Sequence, residues 1–226
     1  MRLRSRVGLL GAVALGLLCV QPACAPTTGD LVRAAAQGDL ALARKCVESG
    51  VDVNRPSRYG FRRENEGDTP LTTAVQFGSR EVVEFLIAHG ADVNLGFGGR
   101  IDGTSPLSSA GTLGRVEIAR ILIGAGARVD ARDGQGMSPL AYAVSRGNLD
   151  VADVLIGAGA VPDFAVFRAV LEYGAPPRRI EMVRFLLSQG LDPNGRDSEG
   201  RSFLSHAERK GLAEIVALLR SSGARE

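Results

Sequence analysis

The side chains able to do chemistry are few and scattered. His89 and His206 stand 117 residues apart. A metal site needs converging ligands such as His-x-x-x-His on one helix face or a cysteine pair, and neither histidine has such a neighbour. Asp52, Asp92, Asp130, Asp163 and Asp192 recur at near-regular intervals. Short acidic side chains repeated in that way suit local bonding to loop amides better than acid–base work. Gly124-Ala-Gly126 and Gly157-Ala-Gly159 resemble the start of a dinucleotide loop but lack the third glycine and the strand-to-helix setting that loop requires. No Walker sequence and no Gly-x-Ser-x-Gly elbow occurs. The residues therefore predict no catalytic site, no metal and no cofactor, and a chain that is not an enzyme.

The elements around them carry a clear period. Glycines at 50, 90, 126, 159, 190 and 223 each close a unit, and a second glycine stands twelve residues earlier at 38, 78, 114, 147 and 211. The fifth unit has Arg178 at that place and an enlarged corner, Gly174-Ala-Pro-Pro177. Thr69-Pro70, Ser105-Pro106 and Ser138-Pro139 put a hydroxyl at a helix N-cap and Pro at the first helical position, where no donor is lost. The mid-unit glycine turns the chain back, and a second helix follows with an apolar stripe such as Val82, Val83, Phe85, Leu86 and Ile87. Gly90 and its equivalents supply a left-handed end. Cys46 aligns with Leu86, Leu122, Leu155, Leu186 and Leu219, a core position that uses it as a small hydrophobe.

These residues carry a resemblance. Asp68-Thr-Pro-Leu, Thr104-Ser-Pro-Leu and Met137-Ser-Pro-Leu at unit starts, with Gly90-Ala-Asp-Val-Asn94 at a unit end, resemble the ankyrin repeat. The resemblance implies an all-α solenoid of stacked helix–turn–helix units with loop or hairpin fingers, in about six repeats at 30–54, 68–94, 104–130, 137–163, 164–194 and 201–226. One departure stands out: the family's T-P-L-H histidine is replaced by Thr72, Ser108, Ala141 and Ser205, so bonding between repeats through that histidine is absent or altered. Terminal repeats of a solenoid need a polar outer face. Lys45 stands where later repeats have Phe85, Ile121, Val154, Phe185 and Leu218, and Arg220 where earlier ones have Ile87, Ile123, Ile156 and Leu187.

Residues 1–25 read differently. Arg2, Arg4 and Arg6 precede an uncharged apolar run, Val7 to Val20, too short to span a bilayer comfortably, and small residues follow. This is the pattern of a secretory signal peptide cleaved near Ala23 to Ala25. Ala23-Cys24-Ala25 fits an A-x-A site, although Pro26 would follow the cut. Lipoprotein processing is the other route, and it would leave a lipidated Cys24 as the attachment to the membrane. Either way the product is periplasmic or otherwise exported. Its loss removes three Arg and no acid, so the formal charge of +2 becomes −1, and no global charge argues for nucleic acid. Cys19 and Cys24 leave with it or stay at its edge, so Cys46 has no partner for a disulfide within the repeats.

Binding is then the remaining activity. The resemblance places it on the concave side, on the fingers and the exposed face of each first helix. The free positions there are Ala36-Gln37, Gln76-Phe77, Thr112-Leu113, Ser145-Arg146, Leu171-Glu172 and Arg209-Lys210. Phe77 and Leu113 are apolar where no structural need is evident, which suits an interface centre; the alternative is ordinary exposed apolar residues. The long fingers between Asn54 and Asp68 and from Leu95 to Gly103 add Arg58, Tyr59, Phe61, Phe97 and Arg100, residue types favoured in interfaces. Later fingers point Arg132, Met137, Arg196 and Arg201 outward, which predicts a more basic surface there. The partner expected is another protein, held by a non-catalytic scaffold of the bacterial envelope; the alternative is an inhibitor or immunity protein that blocks a toxin or enzyme by occlusion.

Overall fold

A helix start leaves backbone donors bare, and each first helix here begins where a side chain can take one of them. Thr69, Ser105 and Ser138 accept from the amides of Thr72 (3.1 Å), Ser108 (3.1 Å) and Ala141 (3.2 Å), each followed by proline in the first turn. Ser202 accepts from Ser205 N at 3.2 Å without the proline. Thr27 forms a reciprocal box with Asp30, whose carboxyl is held below its ordinary range by hydrogen bonds from the Thr27 backbone and hydroxyl.

The computed structural model describes residues 25–57, 67–96 and 104–225. Among them lie twelve α-helices: α1 (Thr28–Gln37), α2 (Leu40–Glu48), α3 (Pro70–Phe77), α4 (Arg80–Ala88), α5 (Pro106–Leu113), α6 (Val116–Gly124), α7 (Pro139–Arg146), α8 (Leu149–Gly157), α9 (Phe164–Tyr173), α10 (Arg179–Ser188), α11 (Phe203–Arg209) and α12 (Ala213–Ser221). They contain no strand, and the sole β-bridge among them pairs Arg196 with Ser202. Consecutive helices pack as pairs, and the pairs stack, α1 on α3, α3 on α5, α5 on α7, α7 on α9 and α9 on α11. Gly38, Gly78, Gly114, Gly147 and Gly211 turn each pair with φ between 68° and 78°, a region closed to most side chains. The fifth pair departs from this: α9 runs on to Tyr173, and the chain turns through extended Gly174 and a 3₁₀ turn at Pro176–Arg178.

The core is a column of small layers. Leu86, Leu122, Leu155, Leu186 and Leu219 are fully buried in successive second helices, with Cys46 in line, its thiol pushed up in pKa by burial. Lys45 and Arg220 are exposed at the two ends, and Arg220 donates to Glu208 at 2.8 Å. Gly111 marks a close approach between two first helices. It stands where α3 has Val75 and α7 has Val144, and a Cβ there would lie 2.8 Å from the Pro139 carbonyl. The contact between α5 and α7 is the most extensive between any two helices.

With the T-P-L-H histidine replaced, Thr72 and Ser108 bond locally, to Thr69 O (2.9 Å) and to the Ser105 hydroxyl (3.1 Å). Joining of repeats falls instead to asparagine. Asn54 donates to Gly90 O (2.9 Å) and accepts from Asp92 N (2.8 Å). Asn94 does the same with Gly126 O (3.3 Å) and Arg128 N (2.9 Å), and Asn194 with Gly223 O (3.3 Å) and Arg225 N (2.9 Å). Asp52, Asp92 and Asp192 hold the turn before it by accepting from Asn54, Asn94 and Asn194 N. Asp130 and Asp163 are not equivalents of those aspartates, as sequence spacing had them. They occupy the asparagine position itself, where a carboxylate has no hydrogen to give to the next carbonyl.

Candidate functional site

Phe77, Leu113 and Arg146 end α3, α5 and α7, each just before its turning glycine, so stacking sets them in one row. Phe77 and Leu113 are 42% and 46% exposed and Arg146 is exposed too. The row continues at α9 with Tyr173, 57% exposed, which sequence spacing did not pick out because it stands where the other repeats have glycine. Of the large hydrophobic side chains exposed among the described residues, only Val161 lies off this row.

In four of the six proposed free pairs the first member is not free, whereas Arg209 of the last pair is exposed. Gln76 donates to Asp68 Oδ2 (3.0 Å), the Thr112 hydroxyl donates to Ser108 O (2.9 Å), and Ser145 donates to Tyr142 O (3.1 Å), while Leu171 is buried. A helix turns about 100° per residue, so when the second of two neighbours faces out the first is carried toward the core. Gln37, Phe77, Leu113, Arg146, Glu172 and Lys210 remain as the outward set.

Arg58, Tyr59, Phe61, Phe97 and Arg100 lie outside the described residues, as does Cys24. The base of the first long finger is visible. Ser57 N donates to Asp68 O and Gly67 N to Ser57 O, both at 3.0 Å, and Asp68 is tied to α3 through Gln76 and, at 3.4 Å, the Thr72 hydroxyl. The finger thus leaves a buried, hydrogen-bonded root directly beside Phe77.

Two later fingers share a build. In Arg132-Asp133-Gly134-Gln135-Gly136, Asp133 accepts from Gln135 N, Met137 N and the Tyr142 hydroxyl (2.6 Å), and Arg132 donates to Gly136 O. In Arg196-Asp197-Ser198-Glu199-Gly200, Asp197 accepts from Glu199 N and Arg201 N, from Arg201 Nε (2.8 Å) and lies 2.9 Å from His206 Nε2, while Arg196 donates to Gly200 O. Burial raises the Asp197 carboxyl, but bonds from Arg201, His206 and Glu199 outweigh it and hold the group well below the usual carboxylate range. Tyr142 is pushed up to about 12 by burial and by its bond to Asp133. His206 is thereby a structural partner of its finger, packed edge-on against Phe164 in a stack with Phe167 and Phe203. His89 Nδ1 sits 2.8 Å from Phe85 O.

This arrangement corrects the expected basic surface. Arg132 pairs with Asp163, Arg196 closes its own turn, Arg201 pairs with Asp197 and Glu199, and Met137 is buried. The recurring Arg-Asp-x-x-Gly was the signal for it. Among the described residues no group of three or more His, Cys, Asp or Glu side chains is placed to hold a metal.

Comparison with known proteins agrees with the fold. A family model of ankyrin repeats, described as three copies, matches residues 31–133 and 96–166. An ankyrin repeat domain from Acinetobacter baumannii superposes with a TM-score of 0.69 at 27% identity, covering 86% of this chain and 98% of that one. Cyclin-dependent kinase 4 inhibitor B of Bos taurus is 42% identical over 65 residues, 29% of this chain. Arginine ADP-riboxanase OspC3 of a Chromobacterium species is 54% identical over 43 residues, 19% of this chain. These stretches span 44% and 8% of the two relatives.

Proposed function

Since the chain belongs to the ankyrin-repeat family, whose arrays in general mediate protein–protein interaction rather than catalysis, we propose that it is a protein-binding scaffold of the bacterial envelope. Its partner lies along the row of first-helix ends and the adjoining fingers. The observation that carries this is the exposure of Phe77 and Leu113 at equivalent places in neighbouring repeats, beside the root of the long finger. Apolar side chains held outward on rigid helix ends form the centre of an interface when polar residues ring them, and Gln37 and Arg146 flank them along the row. The envelope location rests on the basic, apolar and small-residue order of residues 1–25; soluble release and lipidation at Cys24 are the two forms of it.

Phe77→Ala with Leu113→Ala is expected to abolish capture of the partner from an envelope extract while shifting the thermal transition little. Undiminished capture by the double variant rejects this face. A second reading, inhibition of an enzyme or toxin by occlusion, is favoured by the similarity to a protein named as a kinase inhibitor. Inhibition of a captured enzyme at stoichiometric amounts distinguishes it from scaffolding.

A further inference from the structure

Between the fourth and fifth repeats the row opens into a cleft of about 240 Å³, lined by Gln135, Met137, Tyr142, Ser145, Arg146 and Tyr173. The lining holds one formal charge, the Arg146 guanidinium. Three arginines of the later fingers are spoken for: Arg132 by Asp163 and the Gly136 carbonyl, Arg196 by the Gly200 carbonyl, Arg201 by Asp197 and Glu199. Arg146 is exposed and has no ion pair or hydrogen bond among the described residues. The hydroxyls beside it cannot balance it. The Tyr142 hydroxyl donates a hydrogen bond to Asp133, and Ser145 donates to the Tyr142 carbonyl, and both are uncharged. Asp133 itself already accepts from two amides and that tyrosine. The apolar part of the wall is the flank of Tyr142, buried Met137 and the ring of Tyr173, 57% exposed, and Gln135 and Ser145 supply polar, uncharged lining.

We propose that this cleft receives an acidic side chain, Asp or Glu, of the partner protein, with an adjacent apolar residue laid against Tyr173. The proposal rests on the scaffold reading and specifies the partner's chemistry at one end of the row. A guanidinium presents a planar fork matched to a carboxylate, and an exposed aromatic beside it offers area at small entropic cost. The site is thus complementary in charge and shape to an acidic residue next to an apolar one.

The test is selection of random dodecapeptides displayed through their C-termini, so that every carboxylate offered, apart from the display fusion, is a side chain. Wild-type protein and Arg146→Glu are panned in parallel, and selected peptides are measured by fluorescence anisotropy, also against Arg146→Gln and Tyr173→Ala. Because the Arg146 and Tyr173 side chains are exposed and form no hydrogen bond among the described residues, the thermal transitions of the variants should match wild type, which confirms folding. The expected result is enrichment of acidic-plus-apolar sequences by wild type alone. Affinity should fall about tenfold or more on Arg146→Glu and on replacing the peptide acid by its amide, the two losses failing to add, as for directly paired groups. Peptides that bind without an acid, or bind Arg146→Glu equally well, overturn the proposal and leave the scaffold reading standing. Failure to enrich any peptide counts against both.

Discussion

The joint between the first and second repeats and the joint between the third and fourth solve one problem in two ways. At the former, Asn54 reaches the next repeat and both donates to and accepts from its terminal loop. At the latter, Asp130 stands in that place, exposed and without a hydrogen bond among the described residues. The third joint is instead closed from the other end. Gly111 lets α5 and α7 approach, and Asn148 donates to Gly111 O (2.8 Å) and Thr112 O (2.9 Å). Repeats are thus held by finger-side staples in one region and by corner-side packing in the other. Nearest-neighbour stability in a solenoid is a sum of such interface contributions, so each can be altered separately.

The largest effect is expected where close helix packing does most of the joining. Gly111→Val drives a side chain into the Pro139 carbonyl and should cost about 2–3 kcal/mol, read as a lowered denaturation midpoint; a small loss means the two helices slide apart freely. Asn94→Ala removes both bonds of a staple and should cost about 1–2 kcal/mol, measured in the same way. The reverse change sharpens the contrast. Asp130→Asn supplies the missing donor toward Gly159 O and should gain about 1 kcal/mol, raising Tm by roughly 2–4 °C in a chain of this size. An unchanged Tm would show that the middle joint is too open to be stapled. The smallest effect concerns the last repeat under acid. Asp197 has a folded pKa below its unfolded value, so its contribution is present above about pH 4 and is lost as pH falls below that. Amide protection in α11 and α12, relative to unstructured peptide at the same pH, should fall below about pH 4 in wild type, and Asp197→Asn should flatten that dependence while lowering protection at neutral pH.

Much of the fold was legible because its determinants are local. A serine three residues before the amide it caps, or a glycine at positive φ, announces itself within a few positions, and Cys46 was placed in the core by alignment alone. What escaped was set across repeats. Asn54 finds its acceptor 36 residues away, and Gly111 looks ordinary until the next helix is laid on it. Asp130 and Asp163 were grouped with the wrong aspartates because spacing counts residues but not which side of a turn they serve. At the candidate site, Phe77 and Leu113 could be read from the sequence as apolar residues at the ends of first helices, and both are exposed there. Tyr173 was hidden by the altered corner of the fifth repeat, and the arginines of the later fingers were misread because their carbonyl and carboxylate partners come from the folded turns.

One further consequence follows from Asp163. It closes the fourth repeat and also caps α9, accepting from Val166 N at 3.0 Å, so residues 158–163 alone join α8 to α9 whereas residues 125–138 and 189–202 serve at the neighbouring connections. The comb of fingers therefore lacks a tooth between the fourth and fifth repeats. A perfectly periodic array would offer a long partner several equivalent alignments, each shifted by one repeat. The gap breaks that translational symmetry, and a partner that fills it has one phase in which to bind.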